Sequence, residues 1–162
     1  MPLLVNLRHL QAHDAHLKGE LSVEDLDIDS RDEVIQVTQP LRYDLEVQKV
    51  EGGLLVQGKL HLLLDCQCVR CLKAFQQALD LKPWTILVPL EGEEKAPVVS
   101  DCVDLTPFVR EDILLEFPRH PLCNAQCRGL PKAPSGNKHK PGGPDPTDVG
   151  SPAWAELNKL KF

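Results

Sequence analysis

Long apolar runs are missing from this 162-residue chain. No stretch approaches the roughly 20 apolar residues that span a bilayer. The segment Met1–His9 has no basic leader and no apolar core of signal-peptide length. The expectation is a cytoplasmic protein with reduced thiols and no membrane partner. Positive charge is scarce too. Residues 1–127 hold twelve Lys/Arg against twenty-one Asp/Glu, and only the stretch from Arg128 onward is basic, with six against three. A domain this acidic does not hold nucleic acid by bulk charge, because phosphate neutralisation needs clustered Lys and Arg. Active-site signatures are absent as well. There is no phosphate-cradling Gly-rich loop, no Gly-x-Ser-x-Gly elbow, no singled-out carboxylate pair and no internal repeat. Neither an enzyme nor a small-molecule substrate is expected.

Cysteine, by contrast, is concentrated. Cys68-Val69-Arg70-Cys71 and Cys123-Asn124-Ala125-Gln126-Cys127 are two close pairs some fifty residues apart, with Cys66 and Cys102 outside them. A two-residue gap lets a tight turn aim two sulfurs at one metal. A three-residue gap would set Cys123 and Cys127 one helical turn apart, on one face. The pairs together read as one structural four-thiolate zinc site. Free thiols are the competing reading, and disulfides a weaker one in a reducing compartment. Cys66 is a substitute ligand on paper, but strand alternation points it with Leu62 and Leu64 into the core. Cys102 has no close partner and reads as a small buried hydrophobe. His120 sits three residues before Cys123 and could replace or support a thiolate. His9, His13 and His16 have near-helical spacing, yet read better as exposed polar positions.

The pattern along the chain is α+β, with an antiparallel β-sheet, open or barrel-like, and one or two helices. Residues 3–10 read as a first strand and 11–19 as loop. Ser22-Val23-Glu24-Asp25 resembles a capping box that starts a helical turn. Residues 33–38 form a short strand that Pro40 interrupts. Alternation in 41–50 and 54–65, around Glu51-Gly52-Gly53, predicts a hairpin. Residues 74–88 suggest two extended segments, and 89–101 a charged loop. A helix over 106–117 has Thr106 as N-cap and Pro107 in its first turn, with Leu105, Val109, Ile113 and Phe117 facing the core. The zinc-stapled domain would cover 1–130. A Pro/Gly-rich linker would follow over 131–150, and a short helix or tail over 151–162.

Cys68-Val69-Arg70-Cys71-Leu72 resembles the Cys-x-Arg-Cys-Leu signature of the YceD family of large ribosomal RNA subunit accumulation proteins. The stretch 103–115, Val-Asp-Leu-Thr-Pro-Phe-Val-Arg-Glu-Asp-Ile-Leu-Leu, is similar to that family's second signature. Pro118, Pro121-Leu122-Cys123 and Cys127-Arg128-Gly129-Leu130 continue it in order. Family members often carry a further Cys-x-x-Cys after the Gly-Leu. Here that stretch is Pro131-Lys132-Ala133-Pro134-Ser135-Gly136, without cysteine. What remains for a metal is Cys68, Cys71, Cys123 and Cys127.

The resemblance implies ribosome biogenesis: accumulation, processing or stability of large-subunit rRNA, without catalysis. A zinc-bound protein-interaction module unrelated to RNA and a metal-dependent nuclease are the alternatives. The partner would be large-subunit rRNA precursor or a basic ribosomal protein. Metal binding would gather Arg70, Lys73, Arg128 and Lys132 into a local contact patch. The acidic excess repels phosphate at range and favours the protein partner.

Overall fold

The computed structural model describes residues 1–11, 13–28 and 32–131. The expected linker from residue 132 and the tail helix over 151–162 lie outside the described residues, as does Lys132.

The hairpin is the centre of the fold. Strands β4 (Leu41–Val50) and β5 (Gly53–Gln67) pair antiparallel from Arg42↔His61 to Val50↔Gly53. The connection is therefore two residues, Glu51-Gly52, one shorter than the sequence suggested, with Gly52 at φ +77°. Along β5, Leu54, Val56, Leu60, Leu62, Leu64 and Cys66 are buried while Gln57, Lys59 and Gln67 are exposed. A period-2 apolar set can bury only one face of a sheet. Strand β6 (Ala74–Pro89) follows the far edge of β5 over its whole length, from Gly53↔Pro89 to Gln67↔Ala74. It is one strand, not two segments. The register slips by one between Gly58 and Leu60, so Lys82-Pro83 bulges opposite Lys59.

Strand β2 (Ala15–Leu21) occupies the outer edge of β4, where the sequence suggested loop. Its inward positions include the small residues Ala15 and Gly19, so its alternation is faint. Gly19 lies against the Tyr43 ring, where a side chain would collide with the phenol oxygen. Strand β3 (Ile35–Gln36) is shorter than expected and shares β4's edge of β5, through Ile35↔Cys66. Pro40, with no N–H to donate, lies in the break between them. These five strands curl into a half-barrel.

A second sheet has the order β1 (Leu4–Asn6), β8 (Cys102–Asp104), β7 (Val98–Val99). The first strand is shorter than expected. Asn6 Oδ1 accepts the Arg8 N–H at 2.9 Å, and a 3-10 turn follows at His9–Gln11. Within the expected charged loop, β7 and β8 are joined by Ser100-Asp101, both at positive φ, as a two-residue hairpin turn of that twist requires. Helix α1 (Val23–Leu26) starts at Ser22, whose Oγ accepts the Asp25 N–H at 3.2 Å, as the capping box predicts.

Helix α2 (Thr106–Leu115) buries Leu105, Val109 and Ile113 in one core with both sheets. Thr106 is not its cap. It lies inside the first turn, its hydroxyl accepts the Leu3 N–H at 2.8 Å, and its own N–H is taken by Asp104 Oδ1 at 2.9 Å. Trp84 of β6 donates through Nε1 to Asp112 Oδ2 at 2.7 Å, fastening sheet to helix. The helix ends at Leu115, before the half-buried Phe117 and Pro118.

Candidate metal centre

The β5–β6 connection carries the first cysteine pair. It closes with the Cys68 N–H donating to the Lys73 carbonyl at 2.9 Å and the Leu72 N–H to the Cys68 carbonyl at 2.8 Å. Leu72 takes a left-handed conformation, φ +62°, which turns the chain back into β6. Cys68 and Cys71 therefore hang from the end of the longest hairpin in the fold. The chain beyond α2 returns to this loop, where the Val69 N–H donates to the Pro121 carbonyl at 3.0 Å. Cys123 and Cys127 follow in a turn, not a helix. The Cys127 N–H reaches the Asn124 carbonyl at 3.0 Å, and Asn124 Oδ1 accepts the Gln126 N–H at 3.0 Å. An Asx turn competes with the helix that the three-residue gap suggested, and still converges the sulfurs.

The four sulfurs of Cys68, Cys71, Cys123 and Cys127 all lie within 4.8 Å of one another. Across the two loops, Cys68 Sγ is 3.8 Å from Cys127 Sγ, and Cys71 Sγ is 3.5 Å from Cys123 Sγ. A tetrahedron of sulfurs with metal–sulfur bonds of about 2.3 Å has edges of about 3.8 Å. The donor set thus fits a single ion at its centre, and these four thiols could hold a metal. Cys68 is fully buried; the other three are half-buried.

The electrostatics suit such an ion. Backbone N–H groups, that of Cys123 foremost, turn toward the Cys68 sulfur and pull its thiol down to about 6. The contact with Cys71, followed by burial, pushes Cys123 up to about 12. At Cys127 the Gly129 N–H pulls downward, but burial and the contacts with Cys71 and Cys68 together raise it. Sulfurs this close cannot all ionise unless a cation stands between them.

Other candidate residues fall elsewhere. Cys66 is buried and paired across from Phe75, and burial raises its thiol. Cys102 is half-buried on β8, less enclosed than a core residue. His120 is exposed and outside the four-sulfur group. His16 faces Asp44, Nε2 to Oδ1 2.6 Å, so the His9, His13, His16 spacing gathers no ligand set among the described residues. Arg70, Lys73 and Arg128 are all exposed around the cluster. Arg70, however, also donates through Nη1 to the Cys127 carbonyl at 3.1 Å, which ties the two loops together. Sequence reasoning did not single out Arg119, exposed two residues before Pro121.

The fold is a curled antiparallel β-sheet whose longest hairpin carries, with the chain beyond α2, four cysteines that could hold a metal ion. The chain belongs to the family described as large ribosomal RNA subunit accumulation protein YceD, whose model matches residues 56–161. It is 28% identical over 136 residues to an uncharacterized protein of Mycobacterium leprae, covering 78% of this chain and 62% of that relative. It is also 28% identical over 98 residues to an uncharacterized protein of Mycobacterium tuberculosis, covering 56% of this chain and 47% of the relative. The chain thus spans about half to six-tenths of the length of these curated relatives. No solved structure matches it. No helix among the described residues is long and apolar enough to cross a membrane.

Proposed function

We propose that this chain is a non-enzymatic factor of large-subunit ribosome biogenesis, acting in the cytoplasm to support accumulation of large-subunit rRNA, with one structural zinc ion held by Cys68, Cys71, Cys123 and Cys127. The observation that carries the reading is the family match, which spans both cysteine loops and the helix between them. All-thiolate donor sets favour zinc, and four of them complete its tetrahedron. Such a set leaves no position for a reacting water. The knob segments 66–73 and 117–131 contain no carboxylate to hold a hard, oxygen-seeking ion. Those two features weigh against the nuclease reading.

The test is genetic and quantitative. Cells depleted of the protein should lose large-subunit rRNA relative to small-subunit rRNA, and the wild-type chain should restore it where Cys71→Ser does not. Unchanged rRNA ratios on depletion would remove the proposal. Metal-dependent cleavage of rRNA precursor by the purified chain would replace it with the nuclease.

A further inference from the structure

The charge of this molecule is segregated, and the net value conceals it. Within residues 1–131, the knob segments 66–73 and 117–131 carry four Lys/Arg and no Asp/Glu, while the remainder carries nine against twenty-one. A dication with four thiolates sums to two negative charges, which leaves the loaded knob net positive on a strongly acidic body. The pairing of the arginines differs in the same way. Each described arginine of the body has a carboxylate partner: Arg8 with Asp101, Arg42 with Glu20, Arg110 with Asp27. Among the described residues, no carboxylate pairs with Arg70, Arg119 or Arg128, and all three are exposed. Paired guanidiniums are spent on the fold. Guanidiniums without a carboxylate partner are available to an external anion.

We infer that the knob is an RNA-docking face, formed by Lys73, Arg119, Arg128 and the outer edge of Arg70, and that it reads the phosphate backbone of base-paired RNA rather than bases. The inference rests on the proposed role in rRNA accumulation and names the surface that serves it. It reverses the preference for a protein partner drawn from net charge. Over a Debye length of about 8 Å, an ion senses the local charge of these segments more than the distant body. The backbone mode follows from what the knob lacks. It has no Trp or Tyr, its one Phe (Phe117) is half-buried, and the imidazole of His120 is its single exposed ring. Single-strand binders use exposed aromatic platforms on which bases stack. A face of guanidiniums and an ammonium, carried on loops that the cysteines bring together, suits the phosphates of an A-form helix. The acidic body then repels any RNA that approaches from another side and sets one orientation for docking.

The test uses the full zinc-loaded chain and fluorescent RNA: a short hairpin duplex, its sequence-scrambled counterpart, and one arm as a single strand. The duplexes should bind alike and more tightly than the single strand, with a log–log salt slope of about −2 to −4. Lys73→Gln, Arg119→Gln and Arg128→Gln should each flatten that slope by about 1 and weaken binding about threefold or more. Zinc content and thermal midpoint should not change. Failure to bind either duplex at low salt, preference for the single strand, or binding indifferent to all three substitutions would each overturn the inference. So would a cellular crosslink from these residues to a ribosomal protein with none to rRNA. Those results would leave the depletion phenotype, and with it the proposed role, standing.

Discussion

Arg70 donates through Nη1 to the carbonyl oxygen of Cys127 at 3.1 Å, a contact that spans fifty-seven positions of sequence. The bond joins the two cysteine loops beside their sulfurs, together with the Val69–Pro121 backbone bond. A residue that reads as a surface cation is thus also a strut. Arg70→Ala should loosen the convergence of Cys127 and reduce metal affinity. A charge-assisted bond is worth about 1.5–3 kcal/mol when enclosed. At this exposed site about 1 kcal/mol is the realistic scale, which corresponds to about fivefold in zinc dissociation constant. Arg70→Lys should lose most of the same affinity, because an ammonium lacks the guanidinium's reach and fork. Competition with a chromogenic chelator measures both. Equal affinity for wild type and Arg70→Ala would show that the strut is dispensable.

Removal of one sulfur should act on metal and stability together. Cys71→Ser breaks the 3.5 Å contact with Cys123 and leaves three thiols. Zinc content should fall from one per chain to well below. The thermal midpoint should drop to that of wild-type chain treated with chelator, and zinc should no longer raise it. With free zinc at a hundred times the dissociation constant, the stabilisation lost is about 2.7 kcal/mol. Cys102→Ser, on β8 and outside the four-sulfur group, is the control and should retain full zinc content. A wild-type chain whose midpoint ignores chelator would refute a structural metal.

Which parts of this architecture are legible in the sequence depends on the strength of the local alternation. The β4–β5 hairpin is plain because Leu41, Leu45, Val47, Leu54, Val56, Leu60, Leu62 and Leu64 are large, apolar and spaced by two or four within each strand. Strand β6 is obscured by its own bulge. Phe75, Leu79 and Leu81 face inward at odd positions, then Trp84, Ile86 and Val88 at even ones, so the parity flips across Lys82-Pro83. A single strand thereby looks like two segments. Strand β2 is missed because Ala15 and Gly19 dilute its apolar face. The two cysteine pairs are visible from spacing alone, but their mutual approach rests on the Val69–Pro121 and Arg70–Cys127 contacts, which no local pattern encodes. Strand parity alone also fails to separate Cys66 from Cys68, since both are even. The ladder separates them: Cys66 is still paired with Phe75, while Cys68 has entered the turn.

Gly58 should tolerate no side chain. It stands at the register shift of β5 with φ +155°, and a Cβ there would overlap the Asp44 carbonyl oxygen and crowd Leu45 Cα. Both obstacles are backbone of the paired strand, which cannot rotate away. Gly58→Ala should cost about 3 kcal/mol or more, at the upper end for single substitutions. Urea unfolding of the zinc-loaded chain measures it. Gly52→Ala is the comparison. It also has positive φ, +77°, but nothing lies near its Cβ, so only conformational strain is added and the loss should be about 1 kcal/mol. Equal losses at the two positions would show that the close approach of β4 at Gly58 is not limiting.

Three carboxylates on the outer face of the half-barrel should shape its acid stability. The hydrogen bond from His16, 2.6 Å, holds Asp44 below the usual carboxylate range, with Lys18 at 3.4 Å adding to it. His61, at 2.6 Å, does the same for Asp80. The Thr38 hydroxyl and then the Gln76 amide, at 2.8 Å, do so for Asp65. A depressed folded value means that the unfolded chain takes up protons first as pH falls. The contribution is therefore complete above the ordinary value of 3.8, and is lost as pH drops through the lower folded values. Each contribution is small, because these groups are exposed and solvent screens them. Urea midpoints measured from about pH 2 to pH 6 should fall only at the acid end on this account. The double variant Asp44→Asn with Asp80→Asn should flatten that limb. Zinc-bound thiolates also protonate in acid, so the comparison belongs in the Cys71→Ser background, where that loss has already occurred. An acid limb of unchanged steepness in the double variant would show that the His16–Asp44 and His61–Asp80 pairs do not contribute to the stability of the folded sheet.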